Sequence, residues 1–389
     1  MNLNKKTGLL LILLLLVHAP SMAQVWTGAV DSSWHTSGNW STGTVPTSSS
    51  TVTVRNDTPF PVITSNVTVR SILLSDWWSG GSLKIRNNAT LTITDDLTIN
   101  GAGALYIING HVVMDATTGG ANNLDMAAAS SLIDITNGSF TAGTVSEDLD
   151  VEIIGNFNAG SGDVTIYGDF DVSSGDFFNV ENGTLTVEGN SVINGTFNGD
   201  DGTTNFNGTV DIRSGGILNL DTGTINFNDE TYIGNSGYVY FGSGEVNISA
   251  DVDVSSGGYF NVEDATVTVT GSANFTSNGN MSVDTGSIII GGNASLSSGG
   301  TIDLNSGTLD VGGDASFTSG GVVNAGDATI NLEGDFTVQN NSNFNADSST
   351  VVFSGDSTQT VNTNGDVTFY NVVVDSGAVL NTDGGSSNT

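Results

Sequence analysis

Hydrophobic and polar residues alternate along most of the 389-residue chain, and from Asn158 onward the alternation follows a fixed period. The repeats begin at Asn158, Asn179, Asn198, Asn219, Tyr240, Asn261, Ser282, Asp303, Asn324 and Asn345. The step between these residue numbers is always 21, except for the second step, where it is 19. We number the positions of one repeat as columns 1 to 21, so that equivalent residues of successive repeats share a column.

Three pairs of apolar columns recur in each repeat, at columns 7 and 9, 13 and 15, and 21 and 2. One intervening column separates the two members of a pair, which is the pattern of a β-strand with one buried face. Glycine, asparagine and aspartate cluster between the pairs, and they suit tight corners because they tolerate positive φ. We therefore predict three short strands per repeat, all facing one interior. In the first repeat the apolar residues are Val164 and Ile166, Phe170 and Val172, and Phe178 and Val180.

A single repeat cannot bury its inward faces alone, so the repeats must stack as coils whose equivalent strands pair in parallel. The sequence therefore predicts an all-β fold, a parallel β-helix or β-solenoid with about 21 residues and three short strands per coil. Ten regular coils, at a strand spacing of about 4.8 Å, make a rod roughly 50 Å long. We favour a right-handed helix, because left-handed ones usually follow hexapeptides and 21 is not a multiple of six.

The first residues have the composition of an export signal. Lys5 and Lys6 precede an apolar run over residues 9–17, and the small residues Ser21 and Ala23 stand where a signal peptidase reads. We predict a signal peptide at 1–23 and a secreted or cell-surface protein. No later apolar run reaches the roughly 18 to 20 residues of a spanning helix, so we expect no direct membrane insertion.

The rest of the chain divides into four predicted segments. Residues 24–57 hold three tryptophans and should form a cap, because an uncovered end coil invites edge-to-edge pairing. Residues 58–157 are predicted to form irregular coils, in which glycine-rich insertions near Gly101 and Gly119 break the register. Residues 158–380 hold the regular coils, and 381–389 form a tail or a truncated continuation.

The charge of the chain restricts its partners. Two of the seven basic residues lie in the signal segment and none of the 41 acidic ones do, so the mature chain carries a net charge of −36. Nucleic acids and anionic membranes bind through lysine and arginine, so we exclude both as partners. The chain has no cysteine, which excludes disulfide bonds.

A motif of tryptophan, glycine and proline follows the signal segment, at Trp26-Thr27-Gly28, Trp34, Asn39-Trp40, Gly43 and Val45-Pro46. Together with the Gly-, Asn- and Thr-rich repeats behind it, this motif resembles secreted adhesin-like parallel β-helix repeat proteins of Bacteroidetes-type bacteria. The resemblance implies an extracellular surface protein. It implies little about activity, because the repeats specify architecture rather than chemistry.

Two classes of function fit this architecture. The first is an extracellular structural or adhesive surface protein, a rigid rod without catalysis, and we favour it. The second is a carbohydrate-active β-helix enzyme, either a polysaccharide lyase or a glycoside hydrolase, because enzymes also occur on this fold. Ice binding by the threonines of column 6 is a minor alternative, since threonine also simply suits exposed strands. Those threonines are Thr184, Thr203, Thr224, Thr266, Thr308, Thr329 and Thr350.

Residues suited to catalysis are sparse, and we assign none. A lyase needs a base, yet Arg213 is the only basic residue of the regular coils, and neither His35 nor His111 has a recognisable partner. A glycosidase needs two carboxylates. An enzyme should have a groove flanked by long loops, whereas 21-residue coils without insertions leave no room for one. A deep cleft lined by two or more carboxylates between residues 90 and 213 would therefore count against a purely structural role. The candidate carboxylates are Glu147, Asp148, Asp150 and Glu152, and Asp200 with Asp201.

Aromatic residues on the outer side of the coils are our candidates for binding glycans or a cell-surface protein. Phe177, Tyr238 and Tyr259 occupy column 20, and Tyr240 occupies column 1. Stacking should place Tyr259 next to Tyr238 on one exposed face. We expect a corner near column 1, between the apolar columns 21 and 2, so the position of Tyr240 is defined less firmly.

Two polar columns are explained by structure rather than by binding. The asparagines of column 1 should hydrogen-bond from coil to coil as a ladder. The aspartates of column 12, such as Asp169 and Asp314, are explained as solvated turn residues. Ca²⁺ is the alternative there, because carboxylates on neighbouring coils would repel. No Ca²⁺-loop signature is present, so we assign no metal site and no cofactor.

Overall fold

A computed structural model describes residues 23–75, 80–115, 124–339, 341–363 and 367–382. Within these ranges the chain consists of short β-strands and a single 3-10 helix, Ser37–Asn39. Nearly all of the predicted signal segment, the insertion at Gly119 and the end of the predicted tail lie outside them. None of the described residues belongs to a helix with the length and apolar character needed to cross a membrane.

Most strands contain three or four residues. The strands before the regular coils are β1 Gln24–Val25, β2 Thr51–Val54, β3 Val62–Ile63, β4 Val67–Val69, β5 Ser71–Leu74, β6 Ser82–Arg86, β7 Thr90–Ile93, β8 Leu97–Ile99, β9 Ala104–Met114, β10 Leu124–Met126, β11 Leu132–Ala142, β12 Val151–Ile153 and β13 Asn156–Asn158. Those of the regular coils are β14 Asp163–Ile166, β15 Phe170–Val172, β16 Phe177–Asn179, β17 Thr184–Val187, β18 Ser191–Ile193, β19 Thr196–Asp200, β20 Thr203–Phe206, β21 Val210–Ile212, β22 Ile217–Leu220, β23 Thr224–Phe227, β24 Thr231–Ile233, β25 Tyr238–Tyr240, β26 Glu245–Ile248, β27 Val252–Val254, β28 Tyr259–Glu263, β29 Thr266–Val269, β30 Ala273–Phe275, β31 Asn280–Val283, β32 Ser287–Ile290, β33 Ala294–Leu296, β34 Thr301–Asp303, β35 Thr308–Val311, β36 Ala315–Phe317, β37 Val322–Asn324, β38 Thr329–Leu332, β39 Phe336–Val338, β40 Asn343–Asn345, β41 Thr350–Phe353, β42 Thr358–Thr363, β43 Asn371–Val374 and β44 Val379–Asn381.

Each regular coil places one strand on each of three faces. Face 1 is formed by the strands at columns 6–9, such as β14 and β17, face 2 by those at columns 13–15, such as β15 and β18, and face 3 by those around columns 20 and 1, such as β16 and β19. Successive strands of a face pair in parallel and in register, so that Thr184 lies between Asp163 and Thr203. The predicted parallel β-solenoid with three short strands per coil is confirmed.

The coils before Asn158 use the same three faces with less regular spacing. Face 2 begins with β1 and continues through β2, β5, β8, β10 and β12. The long strands β9 and β11 run through the corner between faces 3 and 1 and serve both. The first half of β9 pairs with β6 and its second half with β7. The solenoid therefore extends through the segment predicted to hold irregular coils.

Inward columns form a continuous hydrophobic core. Phe178 lies between Phe157 and Phe197, with ring centroids 4.8 Å and 5.6 Å away. Phe206 and Phe227 make the same kind of stacked contact at 5.6 Å on face 1. All five rings are buried. Because apolar area removed from water supplies most of the folding free energy, these inner rows hold the rod together.

The corners between faces require special backbone geometry. Glu181 and Ser214 adopt left-handed φ angles of 57° and 56°. Gly183, in column 5, is needed for another reason: a Cβ there would lie 2.2 Å from the carbonyl oxygen of Gly162 in the preceding coil. Glycine at this position therefore allows these two coils to approach to the spacing of paired strands.

The predicted amino-terminal cap contains three buried tryptophans. Trp40 meets Trp26 and Trp34 edge-on, with ring centroids 5.1 Å and 4.6 Å away. Beside them the buried Asn39 accepts a hydrogen bond from the backbone N–H of Asp31 at 3.0 Å and donates to its carboxylate at 2.6 Å. This amide holds the pKa of Asp31 below its usual value. The polar group of the cap is thus satisfied inside an aromatic cluster.

Candidate functional site

Three tyrosines meet on the outer side of face 3, and we call them the tyrosine cluster. Tyr238 and Tyr240 belong to β25, and Tyr259 lies beside Tyr238 on the next coil. The ring centroids of each pair are 6.4 to 6.5 Å apart. Tyr238 is 36% exposed, and the other two are half-buried. Partial burial and the two neighbouring tyrosines raise the pKa of Tyr240, so its hydroxyl keeps its proton at neutral pH.

The prediction of a corner near column 1 is wrong. Tyr238, Val239 and Tyr240 form one strand in which only Val239 is buried. Columns 21 and 2 lie two residues apart across the repeat boundary, so alternation puts both inside and puts columns 20 and 1 outside. The chain turns only after column 2, where Glu263 has a φ of 52°. Tyr240 therefore faces outward with Tyr238, and their rings are parallel to within 6°.

Phe177 lies in the same outward row but outside the cluster. Thr196 and Ile217 stand between it and Tyr238 on the two intervening coils. Its side chain is 42% exposed. The structure thus brings together the three predicted tyrosines and places the fourth candidate further along the row.

A column of amides runs beside this row, and the predicted asparagine ladder is confirmed. Asn179 donates a hydrogen bond to Asn158 at 2.7 Å, Asn198 donates to Asn179 at 2.7 Å, and Asn219 donates to Asn198 at 2.9 Å. Tyr240 occupies the next position of column 1. The aromatic cluster therefore begins where the amide ladder is interrupted.

Face 1 carries threonines beside a second amide ladder. Asn226 donates to Asn205 at 2.8 Å, and Asn247 donates to Asn226 at 3.0 Å. Ile289, 40% exposed, stands in the same outward column. The outer side of face 1 is therefore a mixed array of threonine, amide and apolar groups. Ice binding stays a prediction.

The polar side chains of column 12 bind the backbone of the following coil. Asp169 Oδ1 accepts a hydrogen bond from the N–H of Asn190 at 2.7 Å, and Asp314 Oδ1 accepts from the N–H of Asp335 at 2.8 Å. Composition did not reveal this role, although the regular return of Asp or Asn at one column was its signal. In the part of the chain that the structure describes, no group of three or more His, Cys, Asp or Glu is placed to hold a metal ion.

An open groove of about 410 Å³ lies on the outer side of face 2, near the start of the regular coils. Asp125, Glu152 and Asp171 stand side by side on adjacent coils. Asp150 and Asp169 also line it. We call these five residues the acidic groove. All five are exposed, so the groove is shallow.

Crowded negative charge perturbs the acidic groove. Desolvation, followed by the charges of Glu152 and Asp169, raises the pKa of Asp171. Ser173 donates a hydrogen bond to Glu152 at 2.9 Å. A carboxyl with a raised pKa beside a second carboxyl is the combination from which a glycosidase draws its general acid and second carboxylate.

The groove lies mainly on the irregular coils and is shallow, so it is not the deep cleft lined by carboxylates that would have favoured an enzyme. Of the carboxylates proposed from the sequence, Asp150 and Glu152 line the groove. Asp200 and Asp201 lie instead at the corner between faces 3 and 1, where Asp201 accepts a hydrogen bond from Thr222 at 2.5 Å. Asp125, Asp169 and Asp171 complete the groove.

Both described histidines have hydrogen-bonding partners, contrary to our expectation. His111 Nδ1 lies 2.9 Å from Ser139 Oγ, and His35 Nε2 lies 2.9 Å from Ser65 Oγ. The partners are 28 and 30 residues apart in sequence, and neither spacing matches the period of the regular coils. The pairs join side chains across the irregular part of the chain.

Comparison with known proteins adds a partial family match. Residues 25–133 match a family described as a domain of unknown function, DUF8693, which spans the predicted cap and most of the irregular coils. No curated protein matches the chain. Among solved structures, the chain is similar to a TibC-catalyzed hyper-glycosylated TibA fragment, at 18% identity and a TM-score of 0.28, over 83% of this chain and 97% of that one. The β-solenoid assignment therefore rests on the strand pairing of this chain itself.

Proposed function

We propose that this chain is an extracellular structural or adhesive rod, a rigid β-solenoid that presents a binding surface and catalyses no reaction. The observation that carries the proposal is the continuous parallel pairing from β12 to β41 on all three faces, which is in register except for shifts at the ends of β19 and β28. Such pairing fixes outward side chains relative to one another over many coils. A surface of this kind is preorganised for binding, because little freedom is lost when a partner docks.

Export is part of the proposal. Lys5, Lys6 and the apolar run over residues 9–17 support passage through a secretory route, and the net charge of the mature chain keeps a long rod soluble. We place the mature protein outside the cell or at its surface.

The tyrosine cluster is the proposed binding surface. Exposed aromatic rings on adjacent coils offer a large apolar area together with hydroxyl groups, and this combination suits glycans and protein partners alike. Tyr238, Tyr240 and Tyr259 form one contiguous patch, whereas Phe177 extends the same row. Contiguity distinguishes this patch from the scattered apolar residues of an ordinary surface.

Adhesion of beads coated with the purified mature protein to cell surfaces and to immobilised polysaccharides tests this role. The double variant Tyr238→Ser/Tyr259→Ser should lose most of the adhesion. Tyr232→Ser is the matched control, because Tyr232 is 38% exposed but lies on face 2. Equal adhesion by wild type and the double variant would remove the tyrosine cluster from the proposal.

A carbohydrate-active enzyme is the second candidate, and the raised pKa of Asp171 in the acidic groove favours it. Incubation of the protein with a panel of polysaccharides, followed by assays for reducing and unsaturated ends, separates the two functions. The rod proposal expects no release of sugar. Release that disappears in Asp171→Asn, with the fold intact by circular dichroism, would establish the enzyme instead.

A further inference from the structure

We infer that the ligand of the tyrosine cluster is a neutral, unbranched, β-linked polysaccharide that lies along the rod axis, with about one sugar per coil. This inference rests on the proposed function and names the ligand class for that surface. Three observations carry it: the row of column 20, the amides of column 1, and the charge of the adjoining corner.

The outward row of column 20 is a straight track. Phe177, Thr196, Ile217, Tyr238 and Tyr259 occupy equivalent positions on five successive coils. Each coil advances the rod by about 4.8 Å, which is close to the length that one pyranose adds to an extended β-linked chain. The apolar C–H faces of such sugars pack against aromatic and aliphatic side chains. A curved α-linked chain would leave a straight track after a few units.

The amide column supplies matching hydrogen-bonding groups. It runs two residues further along each strand, about 6.6 Å from the aromatic row. Each ladder bond, such as Asn198 to Asn179 at 2.7 Å, uses one of two N–H groups and one of two oxygen lone pairs. The second donor and the second acceptor of a half-buried amide remain for a ligand. Sugar hydroxyls also donate and accept, so they complement this column.

Charge at the adjoining corner selects a neutral chain. Glu181, Asp200, Asp221 and Glu263 follow column 1 on four of the coils that carry the track. Desolvation raises the pKa of Asp200, and the neighbouring charges of Asp201 and Asp221 raise it further. An anionic glycan laid on the amides would meet this repulsion, whereas a neutral one would not.

Titration of the purified protein with defined oligosaccharides tests the inference. The probes are three neutral β-1,4-linked hexasaccharides, cellohexaose, xylohexaose and chitohexaose, with maltohexaose as the α-linked control and hexagalacturonate as the anionic control. We expect at least one neutral β-linked probe to bind saturably, and both controls to bind about tenfold more weakly or worse. Affinity should rise with chain length up to about five sugars, the number of coils in the track.

The variants link binding to the track. Tyr238→Ser/Tyr259→Ser should weaken binding of the best probe about tenfold or more, and Tyr232→Ser should leave it unchanged. Circular dichroism and melting temperature confirm that each variant is folded. Absence of binding by all three neutral probes, or equal binding of maltohexaose or hexagalacturonate, would overturn the inference.

Failure of the inference can be distinguished from failure of the proposed function. If no oligosaccharide binds but the double tyrosine variant still loses adhesion to cells, the rod keeps its binding surface and the ligand is a protein. If adhesion is also insensitive to the tyrosines, both the ligand class and the proposed surface are wrong.

Discussion

The tyrosine cluster and the acidic groove are built on the same ladder of coils, yet stacking has opposite consequences in the two regions. On face 3 it brings the rings of Tyr238 and Tyr259 to 6.4 Å, within the range of favourable aromatic contact. On face 2 it sets Glu152 beside Asp171, where desolvation and then the like charge of Glu152 raise the pKa of Asp171. Inward residues and backbone hydrogen bonds set the coil spacing in both. Outward columns are therefore free to carry favourable or unfavourable neighbours without changing the fold.

The largest expected effect comes from the core behind the two regions. Phe178 lies behind the track of face 3 and Phe170 behind the acidic groove, and both are fully buried. Phe178→Ala and Phe170→Ala should each lower the free energy of unfolding by about 3 to 5 kcal/mol. Urea titration followed by circular dichroism measures this. Because the two rings are 5.1 Å apart, the double variant should not be additive. A loss below about 1 kcal/mol in either single variant would contradict a shared core.

A smaller effect on stability, with a large effect on binding, is expected for Tyr240→Asn. The new amide would continue the ladder between Asn219 and Asn261, gaining hydrogen bonds of about 0.5 to 1.5 kcal/mol each. It would lose ring contacts of similar magnitude, about 0.5 to 1.5 kcal/mol each. Stability should therefore stay within about 1 kcal/mol of wild type, while adhesion through the tyrosine cluster falls. A variant that adheres as well as wild type would show that Tyr240 does not contribute to binding.

The smallest expected effect is the pH dependence of the acidic groove. The pKa of Asp171 is raised in the folded chain, so the fold binds its proton more tightly than the unfolded chain does. Below the ordinary value of 3.8, Asp171 is protonated in both the folded and the unfolded chain, and its titration costs no stability. As pH rises through the folded pKa, ionisation of Asp171 lowers the stability of the fold, and this loss persists at higher pH. Asp171→Asn should therefore raise the melting temperature slightly at pH 7 and not at pH 3.

Asp253→Asn is the matched control for this measurement. Asp253 occupies the same outward column as Asp171 but lies between Tyr232 and Asn274, to which it is hydrogen-bonded at 2.8 Å. Its replacement should not stabilise the protein at pH 7. A melting temperature of Asp171→Asn that does not exceed that of wild type at pH 7 would contradict charge crowding in the groove.

The regular coils could be predicted because one period governs their inward columns. Val164 and Leu185, for example, occupy the same column of successive coils, and both are buried in register. The same period predicted that Tyr238 and Tyr259 lie next to each other on adjacent coils. The prediction of a corner near Tyr240 was wrong because columns 21 and 2 were assigned to opposite sides of the strand. They are two residues apart across the repeat boundary, so both point inward and column 1 between them points outward.

The acidic groove could not be predicted, because its residues do not follow the period. The step from Asp125 to Glu152 is longer than one regular coil and the step from Glu152 to Asp171 is shorter, yet all three residues pair in register. Where coil length varies, the position at which each turn closes decides which side chains become neighbours, and composition does not report that position. The contact between His111 and Ser139 could not be predicted from the sequence for the same reason.

The hydrogen bonds of column 12 give the rod a direction. Asp169 of one coil accepts from the backbone N–H of Asn190 in the next, and Asp314 does the same for Asp335. These coils thus present acceptors to the coil that follows them in the sequence. A chain that folds in the order of its synthesis finds those acceptors already in place, so growth from the amino-terminal end is guided one coil at a time. If the coils folded in the reverse order, these backbone N–H groups would lack their carboxylate acceptors until the preceding coil had docked.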